Sequence, residues 1–365
     1  MLNITLVAGA RPNFMKIAPM IHEIEKRKQA GIAIDYRLVH TGQHYDKKMS
    51  GDFFEQLHIP EPHANLGGGG GTQAEQTAAI MVAFEKELMA HRPDVVIVVG
   101  DVTSTLACSI TAKKLCIDVA HVEGGIRSGD MSMPEEVNRI VTDSITDHFF
   151  TTTEIANQHL LRTGVEASRI HLVGNTMIDT LLANRSRFRQ PEGEIFTQLE
   201  QGKYLVLTLH RPANVDQEEK LKYMLDAIIK GADGLPIVFP VHPRTAKMLQ
   251  NLGVNAANLY FVDPLPYLEF NYLVSRAKGV VTDSGGITEE TSVMNVPCIT
   301  LRDNTERPET VHLGTNELIG TDPSKLAPYL EKMVKGNWKS YQGIPLWDGK
   351  TAERIMDVLL DVYSK

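Results

Sequence analysis

Short runs of β-branched and apolar residues alternate with longer amphipathic stretches along nearly the whole chain. In the first half the apolar runs predict strands at Asn3–Ala8, Ala33–Thr41, Asp94–Gly100, Asp118–Val122, His148–Thr151 and Ile170–Val173. Helical periodicity lies between them, at Met15–Lys28, Gln73–Ala90, Thr103–Leu115 and Glu135–Thr146. The same rhythm restarts with Tyr204–Leu209, Pro236–Val241, Leu259–Val262, Gly279–Thr282 and Pro297–Leu301. A strand such as DVVIVVG has no polar face, which fits a parallel sheet covered on both sides. Strands alternating with helices predict doubly wound α/β architecture.

Its 365 residues suggest two domains sharing a cleft. The least regular connection is Arg185–Lys203. The domain change is placed just before it, giving 1–173 and 174–351, with VGNTMIDTLL opening the second domain. The apolar N-terminus MLNITLVAGA has no basic segment or cleavage site and reads as a strand, not a signal. Composition narrows the partners. A formal net charge of -8 with no basic stripe argues against nucleic acid. No run is long enough to span a membrane. Three cysteines without metal-ligand spacing read as reduced thiols of a cytoplasmic protein, with no metal or cofactor called for.

Polar residues gather at the strand exits, where open α/β sheets bind ligands. Strand one exits into GARPNFMK, where Arg11 and Lys16 flank a turn stiffened by Pro12. Later exits carry Asp101 and Glu123, and Glu135 follows in PEEVNR. The second half offers LTLHRPAN with His210, FPVHPRT with His242, DSGGITEE and RDNTERPE. Glycines after a strand let the N–H groups of the next helix approach a phosphate, which singles out Ser284, Gly285 and Gly286. Glu290, farther along, can accept both hydroxyls of a ribose, while Arg302 and Arg307 add cations. Three acids near one another would raise each other's pKa and serve as acid and base near neutrality. By contrast, Gly67–Gly71 follows EPHANL rather than a convincing strand exit and has no cation beside it. It reads as a flexible rim segment, not a phosphate loop.

Taken together, GARPNFMKIAPM, TGQHYD, GDVTSTLA, HVEGGIRSGD, PEEVNR, GNTMIDTL, HRPANVD, TDSGGITEE and RDNTERPE resemble the non-hydrolysing UDP-N-acetylglucosamine 2-epimerases, in order from Gly9 to Glu309. The resemblance implies a GT-B fold, two Rossmann-like domains facing a cleft, with a C-terminal helix (352–365 in the domain division) crossing back to the first. It makes Asp101, Glu123, Glu135 and His210 the catalytic group. Arg11, Lys16, Ser284, Gly285, Gly286 and Glu290 become UDP contacts, and Arg307 reaches the sugar or phosphate. Leu265 and Phe270 hold the uracil, and His242 matches a histidine of the site region. The reaction implied is reversible C2 epimerisation through UDP elimination, a 2-acetamidoglucal and UDP re-addition, by a homodimer in surface-polysaccharide synthesis. HRPAN in place of the family's frequent HRREN, and VHPRT in place of VHxNP, leave a 2,3-diacetamido uronate open as the sugar. A hydrolysing relative, a glycosyltransferase using the same UDP half and a non-catalytic sugar sensor are the other readings. The glycine run lacks the side chains of the family's effector element, so allosteric activation is not expected.

Overall fold

The computed structural model describes residues 1–42, 54–215, 217–241, 243–254 and 256–363. They form two compact units, one of Met1–Ala183 with Pro345–Lys365, the other of Asn184–Ile344.

The first unit is a seven-stranded parallel sheet in the order β3-β2-β1-β4-β5-β6-β7. Its strands are β1 (Leu2–Ala8), β2 (Ile34–His40), β3 (Ala64–Asn65), β4 (Val95–Val99), β5 (Asp118–Val122), β6 (His148–Thr151) and β7 (Ile170–Leu172). Every residue of β4 is buried, as its unbroken apolar run requires. The helix Gln73–Ala90 sets Ile80, Phe84 and Leu88 against the sheet. The second unit repeats the plan with six parallel strands in the order β10-β9-β8-β11-β12-β13. They are β8 (Leu205–Thr208), β9 (Ile237–Pro240), β10 (Leu259–Val262), β11 (Gly279–Thr282), β12 (Cys298–Thr300) and β13 (Asn316–Leu318).

In each sheet the strand order turns back once, between β1 and β4 and between β8 and β11. Connections leave such a strand pair in opposite directions, opening a crevice at the carboxyl ends. Among the described residues no helix is long and apolar enough to cross a membrane.

Three expectations change. The helix Thr176–Asn184 lies almost wholly in the first unit instead of opening the second. Thr180 Oγ1 donates to the Met15 carbonyl at 2.5 Å, and Asp179 accepts from the Ala352 amide at 2.8 Å. Second, the glycine run does follow a strand, β3, which is too short to show a hydrophobic pattern. Third, it is anchored: the Gly68 amide donates to the Thr41 carbonyl at 2.7 Å. A side chain at Gly68 would meet Ile80 at 2.5 Å, so glycine there allows a close approach.

The C-terminal helix Thr351–Tyr363 packs on the helix Arg11–Gln29 of the first unit. Arg27 pairs with Asp357 at 2.7 Å, and the Tyr363 hydroxyl donates to Asp118 at 2.7 Å. Trp347 Nε1 donates to the Thr152 carbonyl.

Candidate active site

At the crevice of the first unit, Asn13 ties β1 to β4. Its Oδ1 accepts from the Gly9 and Ala10 amides at 3.0 Å each, and its Nδ2 donates to the Val99 carbonyl at 3.3 Å. Three residues on, the Lys16 ammonium reaches Glu123 Oε2 at 2.5 Å. A side chain at Gly100 would lie 3.2 Å from Lys16 Nζ and 3.7 Å from Glu123, so glycine leaves this ion pair its room. The Glu123 side chain is only 4% exposed and the Lys16 side chain 14%. A buried carboxylate is tolerable with a cation at this distance. Glu123 also has φ of 72°, a left-handed conformation uncommon outside glycine and a frequent mark of functional sites.

Asp101 follows β4 and accepts a charge-assisted bond from Arg139, while Asn138 donates to its carbonyl at 2.8 Å. Arg139 also pairs with Glu136 at 2.7 Å. Glu136 in turn accepts from the Ser128 and Gly129 amides at 2.9 and 3.0 Å. Burial alone would raise the Glu136 carboxyl, but these amides and Arg139 bring it below its ordinary range. Glu135 sits half-buried in the first turn of the same helix, Pro134–Ile145. Carboxylates pressed against one another are therefore not the arrangement for Asp101 and Glu123, since each has a cation.

The second unit's crevice is organised by Asp283, at the exit of β11 and fully buried. It accepts from the His210 and Arg211 amides at 3.0 and 2.9 Å and from Asn214 Nδ2 at 3.1 Å. His210 Nδ1 lies 2.8 Å from its other oxygen. Burial alone would raise the Asp283 carboxyl, but the His210 bond and these donors hold it below the usual carboxylate range. The His210 side chain is 63% exposed, so it is no buried core histidine. Asp283 anchors one ring nitrogen and leaves Nε2 available, the arrangement of an oriented acid or charge stabiliser.

Ser284 is the N-cap of the helix Gly285–Val293, whose first turn contains Gly286; the Ser284 side chain makes no capping bond. This end gathers a cationic neighbour: Arg302, bound bidentately to Glu306 at 2.8 and 2.7 Å, would lie 3.5 Å from a side chain at Gly285. Arg307 is buried and donates to Glu289 at 2.9 Å. Glu290 is buried and accepts from the Tyr267 hydroxyl at 2.8 Å. Burial pushes its carboxyl up to about 7; the Tyr267 bond opposes the rise and neighbouring Glu289 adds to it. Leu265 and Phe270, both half-buried, bracket the start of the helix Tyr267–Arg276. His242, the side chain of Arg11 and 43–46 of the TGQHYD segment lie outside the described residues.

Sequence reasoning passed over Asn13, His121, Asn138, Arg139, Asp143, Asp283 and Tyr267 as site residues. All but Asp143 and Tyr267 stand inside the motifs already quoted. Their signal was proximity to a strand exit, but a supporting side chain shows itself only through its partner.

Comparison with known proteins agrees with this architecture. The model of the family "UDP-N-acetylglucosamine 2-epimerase" matches residues 24–360. The chain is 42% identical over 376 aligned positions to a UDP-N-acetylglucosamine 2-epimerase of Methanocaldococcus jannaschii, with 100% of each chain covered. The crystal structure of a UDP-GlcNAc 2-epimerase of that organism, in complex with UDP-GlcNAc and UDP, superposes with a TM-score of 0.86, covering 99% of this chain and 100% of that one. A UDP-2,3-diacetamido-2,3-dideoxy-D-glucuronate 2-epimerase of Pseudomonas aeruginosa is 35% identical over 365 positions, with 98% of this chain and 99% of that one covered. The paired parallel sheets with flanking helices are those of the GT-B fold.

Proposed function

The chain belongs to the UDP-N-acetylglucosamine 2-epimerase family of isomerases, and on that premise we propose that it interconverts UDP-N-acetylglucosamine and UDP-N-acetylmannosamine without net hydrolysis. The observation that carries this reading is the Lys16–Glu123 pair set against Gly100, the residue before Asp101, at the β1/β4 crevice. It supplies acids and a cation where an α/β sheet binds its ligand, and the chemistry needs those groups.

The C2 hydrogen of the sugar is not adjacent to a carbonyl, so a carboxylate alone cannot remove it. Departure of UDP from C1 creates oxocarbenium character that acidifies C2–H. One of Asp101, Glu123 and Glu135 then takes that proton, leaving 2-acetamidoglucal and UDP. Another of the three returns a proton to the opposite face, and UDP adds back to C1. The leaving diphosphate needs compensation, for which we assign Arg11, Lys16 and the amides from Ser284 to Gly286 at their helix end. His210, aligned by Asp283, stabilises the departing phosphate. Glu290 takes the ribose hydroxyls, Leu265 and Phe270 the uracil, and Arg307 and His242 complete the sugar-diphosphate contacts. No step calls for a cofactor. We place the enzyme in the cytoplasm, as a homodimer serving surface-polysaccharide synthesis.

Incubation with UDP-N-acetylglucosamine in D2O, followed by proton NMR, tests the reading. Deuterium at C2 with UDP retained on the sugar is expected. Accumulation of free N-acetylmannosamine with UDP means a hydrolysing enzyme, and absence of any exchange or product removes the epimerase assignment. The Pseudomonas relative supports a second substrate, the UDP-2,3-diacetamido uronate. Faster C2 exchange with that sugar in the same assay selects it over the first.

A further inference from the structure

We infer that His121 and Asp143 are positioning residues that set Asp101 and Glu123 in place for the epimerisation proposed above.

The helix Pro134–Ile145 has the wrong faces for an ordinary packing helix. It buries Glu136, Asn138, Arg139, Thr142 and Asp143, while Val137 and Ile140 are exposed. Surface helices of globular proteins bury the apolar side instead. A buried polar face is tolerable only when its groups are satisfied, so it specifies its partners narrowly. Here the partners are the strand exits that carry the acids. Asn138 and Arg139, in the second turn, hold the backbone and carboxylate of Asp101. Asp143, one turn further, holds the next two loops.

Asp143 Oδ1 lies 2.7 Å from His121 Nδ1, and Oδ2 accepts from the Gly125 amide at 3.0 Å and from Arg127 at 2.6 Å. On its other side, His121 Nε2 lies 2.8 Å from the Gly100 carbonyl. A carbonyl oxygen can only accept, so Nε2 donates to Gly100, while Nδ1 faces the carboxylate that Arg127 also holds. His121 is fully buried. The chain of bonds therefore runs from Gly100, next to Asp101, through His121 and Asp143 to Gly125, two residues past Glu123. Glu123 is spanned by its two anchors, His121 and Gly125, and holds its left-handed backbone between them. Neither His121 nor Asp143 has a carboxylate or ring nitrogen left over for substrate. Their effect is on where Asp101 and Glu123 stand, to which proton transfer is sensitive on the scale of an ångström.

Two substitutions at Asp143 test this. In Asp143→Asn the amide keeps an acceptor for Gly125 and Arg127 and a donor that a neutral His121 can accept, so this variant retains the packing. Asp143→Ala removes every bond. Epimerisation is measured by C2 deuterium incorporation, and UDP binding by calorimetry, since the uracil and ribose contacts proposed above lie in the second unit, away from Asp143. The expected result is kcat down by about 100-fold in Asp143→Ala and about tenfold in Asp143→Asn. UDP affinity and KM stay within about twofold of wild type. The inference is overturned if both variants keep the wild-type kcat, or if kcat and UDP affinity fall while KM rises in step, the mark of a general structural role. Should Asp143→Ala not fold, Asp143→Asn decides by the same criterion. The inference rests on the epimerase reading, and the wild-type control separates the two. No C2 exchange in wild type defeats that reading, whereas wild-type exchange with unimpaired variants defeats only the positioning role.

Discussion

Buried carboxylates of the two units are held in opposite ways at Glu123 and Asp143 on one side and Glu290 on the other. In the first, Glu123 and Asp143 are closed off from water but each touches a cation: Lys16 for Glu123, and Arg127 for Asp143, which also meets the His121 ring. Burial alone would raise the Asp143 carboxyl, yet the bonds to His121 and Arg127 keep it below its ordinary range. In the second unit Glu290 is equally buried, but its partner is the neutral Tyr267 hydroxyl and its neighbour is another acid, Glu289. Its carboxyl sits at about 7. Burial therefore does not decide the charge of an acid in this protein; the sign of what it touches does. The second unit contains its own counter-example in Asp283, which meets His210 and backbone amides and is held low.

Breaking the first arrangement gives the largest effect. Glu123→Gln keeps the shape and removes the charge that Lys16 compensates. Loss of a general acid or base lowers kcat by about 1,000-fold, read as the rate of C2 deuterium incorporation. A rate near wild type would assign the acid–base work to Asp101 and Glu135 alone.

Asp283→Asn comes next. It removes the anionic acceptor of His210 Nδ1 and weakens two backbone bonds, so His210 loses its orientation. We expect kcat to decline by about 10- to 100-fold in steady-state turnover.

Glu290→Gln tests the raised carboxyl directly. With a pKa near 7 against an ordinary 4.5, the folded protein holds this proton more tightly than the unfolded chain. The contribution of Glu290 to stability is greatest below pH 4.5 and declines as pH rises towards 7, by about 3 kcal/mol in total. Denaturant unfolding of wild type and Glu290→Gln across that window should show their stability difference shifting by this amount in favour of the variant. In the proposed UDP complex the ionised form is the one that accepts the two ribose hydroxyls. UDP affinity of the wild type should therefore rise with pH through about 7, and calorimetry on Glu290→Gln should lack that rise.

Tyr267→Phe sharpens the contrast with the smallest change. The hydroxyl bond pulls the Glu290 carboxyl down, so its loss moves the UDP-affinity transition to higher pH. One neutral hydrogen bond is worth about 1 kcal/mol, which sets the scale of the effect on UDP binding near neutrality.

Much of this was legible in the chain. Strands β5, β6, β10 and β11 coincide with their predicted spans, and the helix Gln73–Ala90 with its own. Continuous apolar runs and a capping box at Thr72 and Glu75 are local signals, complete within a few residues. The two missed strands, β3 (AN) and β13 (NEL), have two and three residues and lack the apolar run that marks equally short β7 and β12. The helix Thr176–Asn184 was placed in the wrong unit for a related reason. Its periodicity says that it is a helix, not which sheet covers it, and the covering group includes the Ala352 amide, 173 positions beyond Asp179.

The sequence by itself determined the alternation of strands and helices, the polar strand exits and the family these motifs resemble. Tertiary structure decided which polar residue answers which. His121 meets Asp143 across 22 positions, and the His210 amide meets Asp283 across 73. The first pair exists because the helix Pro134–Ile145 packs back on β5, and the second because the strand order turns back at β8/β11, bringing distant exits side by side. Periodicity is written in neighbours along the chain, whereas the charge state of a buried acid is set by neighbours in space.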